Sequence, residues 1–182
     1  MSRLLVAALL LCSAAAAAQT EATPYVGQPG KDVVWVPTPY TLVEKMLDMA
    51  RVTPKDYVMD LGSGDGRNVI AAARRGARAL GIEYDRQLLE VARKNAADAG
   101  LAGKALFVHG DMFEADISKA TVLALFLLPD NLRKLKPKFE KLRPGTRIVT
   151  NGFEIDGWQP KEVGRIETDC GGWCTAYLYV VK

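Results

Sequence analysis

The stretch VMDLGSGDGR, residues 58–67, constrains the fold of this chain more strongly than any other. Its first residues are mostly apolar and predict a buried strand. The glycines Gly62, Gly64 and Gly66 follow at alternate positions, and a helical pattern begins at Arg67. Strand, glycine turn and helix in this order are typical of the first βα unit of a nucleotide-binding sheet. Because glycine lets a ligand approach the backbone closely, we predict that a nucleotide-like ligand binds at this turn.

The charges around the turn indicate which ligand it suits. The dinucleotide fingerprint requires a glycine at position 67, where this chain has Arg67, and Asp60 and Asp65 flank the turn. A pyrophosphate at a helix N-terminus prefers amide groups and positive charge, so these carboxylates would repel it. S-adenosylmethionine carries a sulfonium, an ammonium and a single carboxylate. We therefore predict S-adenosylmethionine as the cofactor.

Two acidic residues further along the chain support this cofactor. Glu83 ends the next apolar segment, at about the distance after Gly62 where an acid meets the ribose hydroxyl groups in nucleotide-binding sheets. Asp111 follows a third apolar segment, and its carboxylate can accept a hydrogen bond from an adenine amino group. Ligands bind at the carboxyl ends of the strands in open α/β sheets. Asp60, Glu83 and Asp111 are therefore predicted to face one common hollow.

Taken together, the motif DLGSGDGR at 60–67, Glu83 and the tripeptide GDM at 110–112 resemble the motifs of class I, seven-stranded S-adenosylmethionine-dependent methyltransferases. The resemblance covers roughly residues 33–182. The segments VPTP at 36–39 and FEIDGW at 153–158 are similar to those of a bacterial group related to the ATP synthase c-subunit lysine N-methyltransferases. The predicted cofactor site comprises Asp60, Gly62, Ser63, Gly64, Gly66, Arg67, Glu83, Tyr84, Asp111, Met112 and Thr38.

Two members of this set have a second interpretation. Arg67 either binds the carboxylate of the cofactor or lies on the surface of the helix that it begins. Thr38 either touches the cofactor or serves the entry of the first helix, since threonine favours that position.

The predicted fold is an α/β, doubly wound, mostly parallel, seven-stranded Rossmann-like sheet that ends in an antiparallel hairpin. Alternating strands and helices imply a parallel sheet with right-handed crossovers. The first helix is predicted to follow Pro39, and the later helices to span 67–75, 86–99 and 130–142. The strands are predicted at 57–62, 78–83, 105–109, 121–128, 147–150, 162–169 and 175–181. We expect this domain to span residues 35–182, preceded by an extended arm at 19–34.

The first 18 residues are typical of a secretory signal peptide. Arg3 precedes an apolar run, and small residues end at Ala18, where we predict cleavage. The uncharged stretch is shorter than the roughly 20 apolar residues of a spanning helix, so no stable membrane span is expected once the leader is cleaved. The predicted location is the bacterial periplasm. The alternative is an uncleaved leader that anchors the protein to the inner membrane.

The two cysteines outside the leader permit a disulfide but do not require one. If Gly171 and Gly172 form a two-residue turn, Cys170 and Cys174 face opposite sides of the sheet. A three-residue loop would instead set the two cysteines opposite each other and allow a bridge. No metal site is predicted, because two thiols without a nearby histidine are too few ligands.

The acceptor side is expected to follow the fourth and fifth strands. The resemblance implies a protein lysine, and a small amine is also compatible with N-methyl transfer. We hypothesise that Glu154 or Asp130 orients the acceptor amine, while Trp158 or Tyr40 forms a wall of the pocket. A net charge of +3 without a basic run argues against a nucleic-acid partner.

The predicted export conflicts with the predicted cofactor, because S-adenosylmethionine is made in the cytoplasm and an exported enzyme would need it outside. The predicted function is an S-adenosylmethionine-dependent methyltransferase. The alternative is a non-catalytic exported module that binds an adenosyl ligand.

Overall fold

A computed structural model of the protein describes residues 24–182. Its seven strands form one sheet in the order β3-β2-β1-β4-β5-β7-β6. The helices and strands, in chain order, are α1 (Tyr40–Met49), β1 (Tyr57–Leu61), α2 (Arg67–Arg74), β2 (Arg78–Glu83), α3 (Arg86–Asp98), β3 (Ala105–His109), β4 (Val122–Leu125), α4 (Pro129–Phe139), β5 (Arg147–Asn151), β6 (Glu162–Arg165) and β7 (Thr175–Val180).

The pairing of the strands confirms the predicted fold class. Strands β1 to β5 pair in parallel, whereas β7 pairs antiparallel with both β5 and β6. The strand order reverses beside β1, since β2 lies on one side of it and β4 on the other. This is the topological switch point of a doubly wound sheet, where ligands bind outside the carboxyl ends of the strands.

Two hydrophobic cores cover the two faces of the sheet. Neighbouring residues of β1 alternate between them, because successive side chains of a strand point to opposite faces. Val58 packs into the core that contains α1, α2 and α3, while Met59 and Leu61 pack into the core that contains α4. The carboxyl ends of β1 and β4 are therefore held rigidly between two layers of helices.

Two predicted strands are too long. The fourth was expected to span 121–128, but β4 ends at Leu125, where its pairing with β5 stops. The chain leaves the sheet there because α4 begins at Pro129, and residues 126–128 form the connection. The sixth was expected to span 162–169, but β6 ends at Arg165, and Asp169 has a positive φ that no strand accommodates.

The loop between β6 and β7 carries a disulfide between Cys170 and Cys174. Three residues separate the cysteines, and the Trp173 amide donates a hydrogen bond of 2.7 Å to the Cys170 carbonyl. This bond makes Gly171 and Gly172 the two central residues of a tight turn, and the disulfide bridges that turn. The expectation that such a turn would set the cysteines on opposite sides of the sheet is wrong, because the pairing of β6 with β7 ends at Arg165 and Thr175 and both cysteines lie beyond it.

The predicted signal peptide and the first residues of the predicted arm lie outside the described residues, so the leader stays a prediction. Within residues 24–182, no helix is long and apolar enough to cross a membrane.

Candidate functional site

The glycine turn after β1 has a conformation and an environment that exclude side chains. Gly64 and Gly66 have φ angles of +54° and +84°. A Cβ atom on Gly64 would lie 2.6 Å from Nε1 of Trp35, and one on Gly66 would lie 2.6 Å from Cζ of Phe107. Such contacts are closer than packed atoms permit, so glycine is required at both positions. The turn therefore packs tightly against Trp35 on one side and the sheet on the other.

Glu83, at the end of β2, holds the turn in place. Its Oε2 accepts a hydrogen bond of 2.7 Å from the Gly64 amide, and its Oε1 accepts one of 2.8 Å from the Asp85 amide. The side chain is buried, and burial raises the pKa of the carboxyl group against the lowering effect of these amides. Glu83 also lines the larger of two cavities at this edge of the sheet, as expected for the predicted ribose-binding residue.

Asp60, at the end of β1, is a buried acid beside other acids. The Asn68 side-chain amide donates a 3.1 Å hydrogen bond to its Oδ2. Burial raises the pKa of Asp60 well above its usual value, and the charges of Glu83 and Asp65 add to this rise. A cationic ligand beside Asp60 would reverse the effect, because an opposite charge favours the ionised carboxylate.

Two buried oxygen atoms near Asp60 have no hydrogen-bond partner among the described residues. They are Oγ of Ser63 and Oδ1 of Asn68, and both residues line the smaller cavity together with Asp60. Buried polar atoms are normally paired, so unpaired ones at a cavity indicate a missing ligand or water. Three acceptor groups around one small hollow suit the ammonium end of S-adenosylmethionine.

The larger cavity has a volume of about 80 Å³ with the N-terminal residues 28–33 in its wall. Glu83, Tyr84, Asp111 and Met112 contribute to its wall. The smaller cavity, of about 30 Å³, lies beside the glycine turn. Both cavities share three wall residues, which are Trp35, Gly62 and Phe126. The two cavities therefore form one bipartite site.

The N-terminal arm crosses the larger cavity. The Gly27 amide donates to the Trp35 carbonyl at 2.8 Å, and the Trp35 amide donates to the Gln28 carbonyl at 3.0 Å, so residues 27–35 form a small closed loop. We call this segment the arm loop. The Gln28 side-chain amide donates to Asp85 at 3.1 Å, which fixes the loop to the start of α3. At its tip, Lys31 pairs with Asp111.

Arg67 is held in the wall of the smaller cavity by several contacts. Its guanidinium donates to both carboxylate oxygens of Asp65, with Nε–Oδ1 at 2.9 Å and Nη2–Oδ2 at 2.5 Å. It also donates to the Thr38 carbonyl at 2.6 Å and lies 4.5 Å from the ring centroid of Tyr40. Arg67 is thus a fixed wall of the smaller cavity that joins the glycine turn to the segment before α1.

Thr38 lies in the smaller cavity and does not cap α1. Its hydroxyl accepts a 3.2 Å hydrogen bond from the buried Asn151 side chain at the end of β5. This contact fixes the segment before α1 against the centre of the sheet. The placement agrees with the cofactor interpretation of Thr38.

Most of the predicted cofactor residues share this bipartite site. The residues that line one or both cavities are Thr38, Asp60, Gly62, Ser63, Gly64, Arg67, Glu83, Tyr84, Asp111 and Met112. Gly66 lies beneath the turn against Phe107 and supports it from the core side.

The structure does not bring the predicted acceptor residues to these cavities. Asp130 is an exposed residue in the first turn of α4 that pairs with Arg133 at 2.5 Å, and Glu154 is exposed just after β5. Trp158 packs edge-on against Tyr179, with ring centroids 6.1 Å apart, and belongs to the core below α4. Tyr40 lies over Arg67 outside both cavities.

The wall residues that were not predicted from the sequence include Asn68, Phe126 and Trp35. Asn68 directly follows the glycine motif, so its position in the first turn of the helix was a usable signal. Phe126 was hidden by the overlong prediction for the fourth strand, because it lies in the connection that this prediction treated as strand. Trp35 precedes the first helix in an apolar run, and nothing in that pattern indicates that the segment folds over the glycine turn.

A sheet of this order, with a glycine turn after β1 and acids after β1, β2 and β3, defines the class I S-adenosylmethionine-dependent methyltransferases. The chain belongs to the family described as the ANTKMT methyltransferase domain, whose model matches residues 60–162. It is therefore a methyltransferase that uses S-adenosylmethionine.

Relatives of known name support this assignment. A protein-lysine N-methyltransferase of Saccharolobus islandicus is 47% identical over 152 residues, which covers 82% of this chain and 94% of that protein. The human ATP synthase c-subunit lysine N-methyltransferase is 32% identical over 145 residues, with 78% of this chain and 62% of the human protein covered. This chain thus spans less than two thirds of the human relative.

A solved structure is also similar over most of this chain. It is described as an RNA methyltransferase from Salinibacter ruber in complex with S-adenosyl-L-homocysteine. The two chains are 48% identical, with a TM-score of 0.75 over 80% of this chain and 94% of that one. Relatives of nearly equal similarity therefore carry names with different acceptors, one a protein and the other an RNA.

Proposed function

We propose that this protein transfers a methyl group from S-adenosylmethionine to the ε-amino group of a protein lysine. The observation that carries the cofactor part is the cluster of buried acceptor groups at the smaller cavity, formed by Asp60, Ser63 and Asn68. The acceptor part is supported by 47% identity to a protein-lysine N-methyltransferase along almost its whole length.

Different residues of the bipartite site would bind different parts of the cofactor. Asp60, Ser63 and Asn68 would hold its ammonium, Glu83 its ribose hydroxyl groups and Asp111 its adenine amino group. The bound cofactor supplies an activated methyl group, so the protein mainly contributes alignment and a dry site. Trp35 and Phe126, at the junction of the cavities, supply apolar surface that excludes water.

The acceptor lysine must lose its proton before it can attack. An apolar environment lowers the pKa of an amine, because burial disfavours its charged form. The acids in the wall of the larger cavity outnumber its basic residues, with Asp32, Glu83, Asp85 and Asp111 against Lys31. This balance favours the approach of a cationic lysine over that of a phosphate backbone.

Labelling with radioactive cofactor tests the acceptor. The full chain is incubated with methyl-labelled S-adenosylmethionine and a bacterial periplasmic extract, and an Asp60→Asn variant serves as the control. We expect the label in a protein band, on a lysine side chain identified by mass spectrometry. Binding of S-adenosylmethionine without label in any product would support the binding-module alternative and count against the proposed lysine transfer.

RNA is the second candidate acceptor, favoured by the name of the similar Salinibacter ruber structure. The same labelling experiment with total RNA separates the two candidates. A label that is removed by ribonuclease and kept after protease treatment would assign the protein to RNA. A label with the opposite behaviour would support the lysine proposal and the predicted absence of a nucleic-acid partner.

We further propose that the protein works outside the cytoplasm. The leader pattern of residues 1–18 and the disulfide between Cys170 and Cys174 support export, because disulfides persist in oxidising compartments. Cell fractionation followed by determination of the N-terminal residue tests this. A mature chain in the periplasm that begins at Gln19 is expected, whereas an intact chain in the membrane fraction would favour the anchored alternative.

A further inference from the structure

Three aromatic side chains form a cluster beside the junction of the two cavities. The ring of Trp173 lies 5.2 Å from that of Phe126 and 5.3 Å from that of Phe153, measured between centroids and with tilted planes. Phe126 follows β4, and Phe153 follows β5. The cluster therefore occupies the carboxyl edge of the sheet on the side where the acceptor segments were expected.

Trp173 is held in this position because a disulfide and a backbone hydrogen bond join the two sides of its loop. The disulfide joins Cys170 to Cys174, and the Trp173 amide donates a hydrogen bond to the Cys170 carbonyl. The indole lies over Gly152, where a Cβ atom would come within 2.9 Å of Cε3 of Trp173. The disulfide-closed loop and the contact with Gly152 thus fix the indole in place.

The cluster meets the reacting region through Phe126. This residue lines both cavities, so its ring lies where the adenosyl and amino-acid parts of the site join. Trp173 lies behind that ring and is half-buried. The disulfide loop lies outside residues 60–162, which match the family model.

We propose that Trp173 is a positioning residue for the acceptor amine and that the Cys170–Cys174 disulfide holds it in the working position. This inference rests on the proposed lysine N-methylation. Aromatic faces attract alkylammonium groups, so the cluster forms a wall that guides a lysine side chain towards the junction of the cavities. Reduction of the disulfide lowers methyl transfer and leaves cofactor binding unchanged.

The redox step uses an ordinary dithiol. Dithiothreitol donates two electrons and two protons to the Cys170–Cys174 bond, which breaks to give two thiols, while the reductant closes to its own cyclic disulfide. The loop then loses its covalent closure, and Trp173 is free to leave Phe126.

A spectroscopic experiment tests the position of the indole without any acceptor. The full chain, labelled with 5-fluorotryptophan and saturated with S-adenosylhomocysteine, gives fluorine signals from Trp35, Trp158 and Trp173, and a Trp173→Phe variant assigns the last. On reduction, the Trp173 signal is expected to shift and the other two to stay. A Cys170→Ser/Cys174→Ser variant should show the shifted signal with or without reductant. An unmoved Trp173 signal would overturn the proposal that the disulfide holds Trp173 in position.

Kinetics then test the effect on the acceptor. Trp173→Ala is expected to lower kcat/KM for the labelled periplasmic protein about tenfold, mainly through KM, whereas Trp173→Phe keeps most of the activity. Dithiothreitol should slow the wild type to a similar extent and have no effect on the double serine variant. The affinity for S-adenosylhomocysteine should stay constant throughout.

The contrary results are distinct. Unchanged kcat/KM in Trp173→Ala, or a cofactor affinity that falls together with the rate, would refute a role in acceptor positioning. If the wild type labels no lysine at all, the proposed function fails, and the fluorine signal alone still decides whether the disulfide positions Trp173.

Discussion

Lys31 of the arm loop forms an ion pair with Asp111, the carboxylate assigned to the adenine amino group. The hydrogen bond from Lys31 is the main cause that holds the pKa of Asp111 below its usual value, and the same bond raises the pKa of Lys31. Lys31 also lies 4.6 Å from the ring centroid of Tyr84, another wall residue. A lysine of the chain itself therefore occupies a polar contact that the adenine ring would need.

Replacement of Lys31 by alanine is expected to strengthen cofactor binding. The pair is largely exposed, and exposed ion pairs are weak, so the dissociation constant of S-adenosylhomocysteine should fall by up to about fivefold. Calorimetry at low and high salt measures this, and salt should reduce the difference. Lys104→Ala, an exposed lysine at the opposite end of β3, is the control. Weaker binding in Lys31→Ala would show that the lysine contacts the cofactor favourably.

Asn68→Ala is expected to weaken binding of the amino-acid end of the cofactor alone. A hydrogen bond to a charged group contributes about 1.5–3 kcal/mol, so the dissociation constant of S-adenosylmethionine should rise at least tenfold. 5′-Methylthioadenosine has no amino-acid group, and its affinity should stay unchanged. An equal loss for both compounds would mean that Asn68 supports the fold of the site through Asp60 and the Ala124 carbonyl.

Gly66→Ala should destabilise the protein much more than a glycine replacement in open space. Its positive φ strains an alanine by about 1–2 kcal/mol, and the contact with Phe107 adds about 1–3 kcal/mol of overpacking. Gly100 has a φ of +69° with no atom near its missing Cβ, so Gly100→Ala should show the strain alone. Urea denaturation compares the two variants. Equal losses would indicate that the core around Phe107 adapts freely.

The stability of the ligand-free protein should depend on the ionisation of Asp60. The pKa of Asp60 is raised far above its usual 3.8 in the folded state, so the folded protein retains a proton that the unfolded chain releases. The free energy of unfolding therefore falls as the pH rises from about 4 towards the raised pKa. Asp60→Asn still accepts from Asn68 but cannot ionise, so it should lose this part of the fall, gain thermal stability at neutral pH and bind S-adenosylmethionine more weakly.

Denaturation curves across this pH range, with Asp130→Asn as an exposed control, measure the effect. A neutral-pH stability of Asp60→Asn below that of the wild type would contradict the assignment of Asp60 as a buried, uncompensated acid.

Replacement of Asp130 and of Glu154, the two carboxylates predicted to orient the acceptor amine, should have different effects on methyl transfer. Asp130→Asn is expected to leave kcat/KM within about twofold, because Asp130 is 80% exposed and paired with Arg133 on the surface of α4. Glu154 directly follows Phe153 of the aromatic cluster, so Glu154→Gln should raise KM for the labelled acceptor by about twofold to fivefold. Full turnover of Glu154→Gln at low acceptor concentration would remove Glu154 from any role in orienting the amine.

The sequence predicted those parts of the site that local chemistry determines. Asp60, Glu83 and Asp111 each follow a strand, and the parallel sheet brings these ends together by its geometry, so three acids far apart in the chain could be assigned to one hollow. The carboxylates of Asp60 and Asp65 beside the glycine turn then favoured S-adenosylmethionine over a dinucleotide. The parallel core of the sheet followed from the alternation of strands and helices and the right-handed crossover rule.

The features that the sequence did not predict depend on contacts between distant segments. The side chain of Arg67 contacts Asp65, Thr38 and Tyr40 together, and no local pattern contains all three. The extent of β4 is set by where β5 stops pairing, which periodicity in an apolar run does not reveal. The disulfide forms across the Gly171–Gly172 turn because the cysteines lie beyond the paired part of β6 and β7, where the alternation of side chains along a strand no longer applies.

The arm loop and the disulfide loop place opposite ends of the described chain around one hollow. Trp35, near the N-terminal end of the described residues, packs on the glycine turn. Trp173, near the C-terminal end, packs on Phe126. A recombinant fragment trimmed to the centre that matches the family would retain the acids and discard both aromatic walls, together with the strand that lies beside β5. Any expression boundary chosen for crystallisation or screening must therefore begin ahead of Gln28 and extend through Val180.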